Sequence, residues 1–146
     1  MHSKYNVNLD RSMRSYDGIV FDSRLEMTFY RDWIMPRKES GEIVDCKRQV
    51  KYILQDKFMH NGKTILPITY VADFVVTFSD GRQIIYDTKG TADSTMLLKR
   101  KLFWRRYPDL KYEWVSYTKK TGWVSFEQLK AIRNKNKKSR EGIKNA

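Results

Sequence analysis

The sequence lacks what disulfide-bonded, zinc-binding and membrane-spanning proteins require. Cys46 is its one cysteine, which excludes an internal disulfide, and with only His2 and His60 beside it no zinc site of the usual spacing can be assembled. There is no long apolar run and no basic amphipathic helix of the kind that lies on lipid. The opening stretch, MHSKYNVNLDRSMRSYDG, lacks the apolar core of a signal peptide. These absences predict a cytoplasmic protein with no membrane partner.

Acidic residues are few compared with basic ones. The 146 residues include 29 Lys+Arg against 17 Asp+Glu, which gives a formal net charge of +12. A polyanion is the natural partner of such a chain, and we expect nucleic acid, with DNA as the first choice. Ribosomal and structural basic proteins share this balance, so charge alone does not choose a function.

Apolar periodicity predicts an α/β chain. A first helix begins near Asp22 or Ser23 and ends before Pro36. The stretch VDCKRQVKYILQDKF reads as one or two strands, MHNGK as a turn, and residues 70–90 as a hairpin. A second helix ends before Pro108, followed by a strand at KYEWVSYTK and a last helix. This order predicts a mixed central β-sheet flanked by helices.

The same pattern divides the chain into three parts. We predict an N-terminal arm at residues 1–17, one folded domain at residues 18–130 and a basic C-terminal tail at residues 131–146. An apolar content of 40% with 14% aromatics supports one core of this size. The tail folds onto DNA or stays disordered, and we expect it to contribute to affinity rather than to chemistry.

The hairpin YVADFVVTFSDGRQIIYDTKG carries three charges, Asp73, Asp87 and Lys89, where strands usually hold apolar residues. A two-residue loop would place Asp73 and Asp87 on opposite faces. A three-residue loop ending at Gly81 instead pairs Asp73 with Asp87, and sets Phe74 against Tyr86 on the core side. Because glycine adopts the left-handed residue of such loops at no steric cost, we predict the three-residue loop.

Two opposed carboxylates repel each other unless a cation lies between them. A divalent metal meets this need, and oxygen ligands favour Mg²⁺ or Mn²⁺, whose bound water can be deprotonated. Lys89 would then contact the attacking water or the phosphate and offset charge in the transition state.

Glu26 supplies a third carboxylate from the first helix. In DSRLE it follows Ser23 at the spacing of a capping box, so one interpretation is that it only bonds a backbone N–H. Beside Asp73 and Asp87 we favour the interpretation that it belongs to the same site.

A helix Glu, a strand Asp and an acidic-x-Lys together resemble the active site of the PD-(D/E)XK nuclease superfamily. The blocks FDSRLEMTFY, KRQVKYIL, ITYVADFVV and YDTKG also resemble a phage-borne family of small predicted endonucleases once described only as a domain of unknown function, and more distantly archaeal Holliday-junction resolvases. The resemblance implies a restriction-endonuclease-like core. It implies Glu26, Asp73 and Asp87 as metal ligands, the Thr88 carbonyl as a further ligand, Lys89 as the catalytic lysine, and products with a 5′-phosphate.

The chain departs from the superfamily pattern at two positions. Ala72 stands where proline usually precedes the strand aspartate, and the acidic-x-Lys has Asp87 in place of glutamate. Related nucleases often place a glutamine near the site, and Gln49 in KRQVKY is a candidate for that role. The alternative is that Gln49 is a polar residue on a half-exposed strand.

Basic and apolar residues interleave in LLKRKLFWRRY, directly after the candidate site. A helix here would pack one stripe on the sheet and turn the other outward, where it holds phosphates without sequence preference. The alternative is a solvated face. The candidate DNA-binding residues are Lys99, Arg100, Lys101, Arg105 and Arg106.

The sequence therefore predicts a Mg²⁺- or Mn²⁺-dependent DNA endonuclease. A role on branched DNA in phage recombination or processing, in the host cytoplasm, follows by analogy, and a homodimer is expected where both strands are cut. The alternative is a DNA- or protein-binding module that keeps the fold without turnover. A third interpretation is a nuclease directed at RNA.

Overall fold

The computed structural model describes residues 10–144, so residues 1–9 of the predicted arm and the last two of the tail lie outside it. The helical segments within that range are a 3-10 helix (Arg11–Arg14), α1 (Arg24–Phe29), a π-helical segment (Tyr30–Ile34), α2 (Met35–Glu39), α3 (Ser94–Arg106) and α4 (Phe126–Lys144). The strands are β1 (Ser15–Tyr16), β2 (Ile19–Val20), β3 (Ile43–Gln55), β4 (Phe58–His60), β5 (Lys63–Ile65), β6 (Ile68–Phe78), β7 (Gln83–Thr88), β8 (Lys111–Thr118) and β9 (Gly122–Ser125).

A five-stranded mixed sheet forms the centre of the molecule, in the order β3-β6-β7-β8-β9. Neighbouring strands are antiparallel except β7 and β8, which are parallel because α3 carries the chain between them. Helices pack against this sheet, so the predicted α/β architecture with a flanked mixed sheet is confirmed. The strands β1–β2 and β4–β5 form two separate hairpins.

The β6–β7 hairpin has the predicted three-residue loop. Phe74 pairs with Tyr86 and Val76 with Ile84, which is the register that sets Asp73 opposite Asp87. Gly81 has φ +90°, the conformation for which glycine was expected there. The register and its turn are therefore confirmed.

The first helix begins as predicted but ends later. Ser23 caps it, because its Oγ accepts a hydrogen bond from the N–H of Glu26 at 3.0 Å. The prediction that the helix ends before Pro36 was wrong, since the helical path continues through the π-helical segment to Glu39. Pro36 lies in the first turn of α2, where a missing N–H costs little.

Two clusters of buried side chains cover the two faces of the sheet. On the α1 face, Phe21 and Phe29 pack against Phe74, Val76 and Tyr86, which confirms the predicted core side of the hairpin. On the α3 face, Phe103 packs with a second set of side chains from the sheet, Leu54, Ala72, Val75 and Ile85. The sheet is thus covered on both sides at its centre.

Strands β3 and β6 exchange faces at one level. In β3, Cys46 packs on the α1 side, but Val50, an even number of residues later, packs on the α3 side. In β6, Phe74 and Ala72 differ in the same way. The exchange coincides with Gln49, whose φ of +55° reverses the backbone locally. Beyond this level β3 and β6 continue as a two-stranded arm that ends in the β4–β5 hairpin.

The C-terminal helix is longer than expected. We predicted a helix that dissolves into a basic tail at residue 131, and α4 runs from Phe126 to Lys144. Leu129 is buried, whereas every residue from Lys130 to Ile143 is exposed. No helix in residues 10–144 is long and apolar enough to cross a membrane.

We predict that Gly81→Ala lowers the free energy of unfolding by about 1–2 kcal/mol, because an alanine Cβ is strained at a positive φ. Gly90→Ala is the matched control, since Gly90 has no positive φ and its added Cβ would also meet open space. Urea unfolding of both variants checks this. Equal stability of the two would contradict the left-handed turn.

Candidate active site

Asp73 and Asp87 lie where strands β6 and β7 part, and their side chains take over the backbone bonding there. The N–H of Asp73 donates to Oδ1 of Asp87 at 2.8 Å, and the N–H of Thr88 donates to Oδ2 of Asp73 at 3.0 Å. The Thr88 hydroxyl also donates to Asp73 Oδ2, at 3.1 Å. We call this the strand fork. It fixes both carboxylates through main-chain atoms rather than through flexible side chains.

Lys89 is held beside the fork. Its Nζ lies 2.9 Å from Oδ2 of Asp87, a carboxylate that is only 2% exposed. The N–H of Lys89 donates to the carbonyl of Val115 on β8, and its own carbonyl accepts from Ser116. The lysine is therefore positioned by the parallel neighbour strand, with its ammonium group directed at Asp87.

Glu26 enters the site from the first turn of α1. It is 2% exposed, and its Oε1 accepts hydrogen bonds from Gln49 Nε2 at 3.0 Å and from Arg48 at 3.4 Å. The carboxylate is thus turned towards β3. Ser23 caps the helix as half of a capping box would, but the Glu26 side chain has these other partners.

Gln49 reaches Glu26 from a strained backbone. A φ of +55° is uncommon for any residue except glycine, and costs on the order of 1–3 kcal/mol unless its surroundings impose it. Its neighbours Arg48 and Val50 pair with Phe74 and Ala72, so Gln49 stands opposite Asp73. Such strain is concentrated at functional sites in proteins, and here it directs the amide to the buried carboxylate.

Burial and the charges of neighbouring carboxylates raise the pKa values of Glu26 and Asp73. Burial first, and then the Asp22 charge, raise the pKa of Glu26 to about 7. Burial raises the pKa of Asp73 to about 8, with further contributions from Asp87 and Glu26. Arg48 and Lys89 oppose these effects without cancelling them. Glu26 and Asp73 therefore retain their protons to a higher pH than exposed carboxyl groups do.

The donor set suits a hard divalent cation in type. It offers carboxylate oxygens from a helix and two strands, and burial raises the pKa values of Glu26 and Asp73 even though Arg48 and Lys89 lie nearby. Among residues 10–144, however, no three His, Cys, Asp or Glu side chains stand in a metal-holding arrangement. Asp87 is bonded to Lys89 and Glu26 to Gln49 instead. Coordination would require these contacts to open.

An aromatic layer behind Asp87 was not singled out in the sequence. The Tyr70 hydroxyl is buried and interacts with Asp87 and Tyr112, although within the described part of the chain it makes no hydrogen bond of good geometry. Burial, followed by the Asp87 charge, raises the pKa of Tyr70. Trp114 donates to the Tyr112 hydroxyl at 2.6 Å, and its ring lies 5.3 Å from Lys89 Nζ. Nothing in the sequence distinguishes these aromatics from ordinary core residues.

Three of the candidate DNA-binding residues on α3 hold the helix in place. Lys99 donates to the Thr69 carbonyl on the arm at 2.9 Å, and Arg106 bonds Asp56 at 3.2 Å. The Arg100 guanidinium lies 4.1 Å over the Trp114 ring. These three basic side chains therefore have partners within the fold.

Three of the five are exposed, namely Lys101, Arg105 and Arg106, and of these Arg106 forms the surface ion pair with Asp56. Arg100 in addition pairs with Glu127 of α4, so it joins two helices rather than facing solvent. Sequence alone did not separate the two kinds of basic residue, because their partners come from distant parts of the chain.

We predict that the free energy of unfolding falls as pH rises from about 5 to 8 in EDTA. Asp73 and Glu26 bind protons more tightly when folded than when unfolded, so stability is complete below the unfolded pKa and is lost through the folded one. Each proton released contributes up to about 1.4 kcal/mol per pH unit. Urea unfolding at several pH values measures the slope.

Asp73→Asn should flatten that slope, whereas Asp80→Asn should leave it unchanged. Asp80 is an exposed turn residue whose pKa is lowered by Arg82, so it titrates below this range. A free energy of unfolding of the wild type that stays constant between pH 5 and 8 would contradict the raised pKa values of Glu26 and Asp73.

Comparison with known families gives a match over most of the chain. Residues 2–122 match the model of a family described as a protein of unknown function, DUF1064. That range contains the fork, Lys89, Glu26 and Gln49, together with the whole of α3. No curated protein matches the chain.

Proposed function

We propose that the chain, which belongs to the DUF1064 family, is a metal-dependent DNA endonuclease of the PD-(D/E)XK type. The strand fork carries the proposal. Asp73 and Asp87 are fixed on neighbouring strands, and Lys89 follows Asp87 two residues later with its ammonium 2.9 Å away. Glu26 approaches from the helix, and the mixed sheet suits a restriction-endonuclease-like core.

The oxygen donors of the site support the binding of a divalent cation. Glu26, Asp73 and Asp87 would hold Mg²⁺ or Mn²⁺, with the Thr88 carbonyl as a further oxygen donor. The ion would supply a bound water of lowered pKa and would neutralise phosphate oxygens. Metal binding would release the protons that the raised pKa values retain on Glu26 and Asp73.

The chain's own residues then have separate tasks. Lys89 offsets the charge that develops on the phosphate during attack, because its ammonium lies beside the fork. Gln49 orients Glu26 through its amide, and Arg48 limits the negative charge there. The aromatic layer of Tyr70, Tyr112 and Trp114 excludes water from behind Asp87. Hydrolysis would leave a 5′-phosphate.

The setting of the reaction also belongs to the proposal. We place the enzyme in the cytoplasm, in a phage-infected host if the gene is phage-borne, acting on DNA during recombination or processing. A homodimer would cut both strands of a duplex.

We predict that Asp87→Asn lowers Mg²⁺-dependent cleavage of labelled DNA by at least about 100-fold, since a ligand and its charge are lost together. Asp80→Asn makes the same chemical change at an exposed turn of the same hairpin and should cleave like wild type. The substrates are linear duplex, flap, single-stranded and four-way-junction DNA, each with Mg²⁺, Mn²⁺ or EDTA. Equal rates for both variants would refute the nuclease.

The second candidate function is a DNA- or protein-binding module without turnover. The carboxylates of the site are bonded to Lys89, Gln49 and main-chain N–H groups, an arrangement that is complete without a metal ion. DNA binding that ignores both Mg²⁺ and Asp73→Asn, with no cleavage of any substrate, would favour this module. Competition between DNA and RNA of one sequence separates an RNA-directed nuclease.

Helix α4 provides a separate electrostatic prediction. At 100° per residue, Arg133 and Lys137 share one face of the helix, while Lys135 and Lys138 share the opposite face. Arg133→Ala/Lys137→Ala should reduce the slope of log affinity against log salt by about 2, if each residue meets one phosphate. Lys135→Ala/Lys138→Ala removes the same charge and should change the slope less. Identical slopes for the pairs would show that α4 has no DNA-facing side.

A further inference from the structure

The β4–β5 hairpin exposes apolar side chains that the fold does not use. Every residue from Gln55 to Leu66 is exposed, including Phe58 at 46%, Met59 at 65% and Leu66 at 75%. A two-stranded hairpin gains little stability from its own packing, so apolar residues at this density are costly without a partner. Exposed apolar clusters of this kind mark interaction sites.

The hairpin is built to keep its shape. Asn61 and Gly62 have φ of +50° and +73°, as a two-residue type I′ turn requires, and Phe58 pairs directly with Ile65. Its base is fastened to α3, where Arg106 bonds Asp56. The apolar side chains are therefore presented on a fixed projection.

The charge around the hairpin identifies the class of partner. Between residues 47 and 71 the one acid is Asp56, which Arg106 already neutralises. The basic residues of that stretch are Lys47, Arg48, Lys51, Lys57 and Lys63, of which Arg48 pairs with Glu26 and the four lysines remain to set the charge. A second copy of the chain would bring the same positive charges together, whereas a polyanion complements them. The surface therefore favours DNA over self-association.

The hairpin also stands at a defined distance from the strand fork. Seven residue steps separate Asp73 from Leu66 at the end of the hairpin, which at about 3.3 Å per residue of extended chain is about 23 Å. The face between them is open, with Val71 44% and Ile53 40% exposed. A duplex lying along this face would meet the hairpin about seven base-pair steps from the fork.

We propose that the β4–β5 hairpin is a wedge that inserts Phe58 and Leu66 into DNA at a base step whose stacking is already interrupted. Apolar side chains cannot read base edges by hydrogen bonds, but they replace lost stacking between bases. Insertion at an intact base step first requires free energy to unstack the two base pairs. At a junction, flap or nick the stacking is already interrupted, so this cost is small. The substrate class is thus duplex DNA with a discontinuity, cut about seven base pairs away. The position of the cut rests on the proposed nuclease function, whereas the insertion does not.

The test uses 2-aminopurine placed at the branch point of a four-way junction and of a flap, with continuous duplex for comparison, all in EDTA. Wild type should raise the fluorescence of the branched probes and bind them more tightly than duplex. Phe58→Ser and Leu66→Ser should each reduce that preference by about tenfold, a stacking effect. Leu66 lies outside the strand pairs, so its loss does not unpair the hairpin.

Two controls keep the result specific. Phe58→Trp should retain the preference, because an indole also stacks on bases. Val44→Ser removes an apolar side chain that is 58% exposed on β3 far from the hairpin, and should change nothing. A preference unchanged by the serine variants, or an equal loss on continuous duplex, would overturn the wedge. So would a shift from dimer to monomer in sedimentation on Phe58→Ser with DNA binding intact.

The two proposals fail separately. A fluorescence response without cleavage in Mg²⁺ would refute the nuclease and leave the wedge standing. Cleavage lost in Asp87→Asn, without any response of 2-aminopurine, would do the reverse.

Discussion

The arrangement at the centre of this molecule depends on two backbone N–H groups. Each donates its hydrogen bond to a side-chain carboxylate instead of to a backbone carbonyl. At the strand fork, Asp87 accepts from the N–H of Asp73, and Asp73 accepts from the N–H of Thr88. Because a buried N–H without a partner costs about as much as a lost hydrogen bond, each aspartate is needed by the fold as well as by any chemistry. The strands part at this level since side chains occupy the space between them. The fork thus joins stability and function in the same atoms.

The electrostatic balance follows from that joint role. Main-chain donors hold the carboxylates in a buried position, and burial then penalises their charge. Lys89 and Arg48 offset part of it, through Asp87 and Glu26 respectively. The two carboxyl groups with raised pKa values, Glu26 and Asp73, therefore take up protons at a higher pH than exposed carboxyl groups do.

Much of this arrangement was predictable from short-range rules. The position of Gly81 and the alternation of the hairpin gave the register, and with it the opposition of Asp73 and Asp87. The α/β order of elements and the mixed sheet also followed from periodicity. The capping spacing of Ser23 and Glu26 left the role of Glu26 ambiguous, because the deciding contacts come from β3, which follows α1 in the chain.

The remaining features depend on backbone angles or distant partners. The alternating pattern of β3 continues unbroken through Gln49. It therefore gives no sign that the positive φ of Gln49 moves the following side chains from the α1 side of the sheet to the α3 side. Pro36 was expected to end a helix, but the π-helical segment placed it in a new first turn. The basic residues of α3 look alike in sequence. Only the folded structure shows that Lys99, Arg100 and Arg106 have partners in the arm or in α4.

The fastening of α3 has a mechanical consequence. Lys99 bonds Thr69, Arg106 bonds Asp56, and the Tyr107 hydroxyl donates to the carbonyl of Ile53, so the helix that follows the site grips the arm at three heights. The arm cannot hinge against the fork without breaking these contacts together. The separation between the arm and the strand fork is therefore set by the packing of α3.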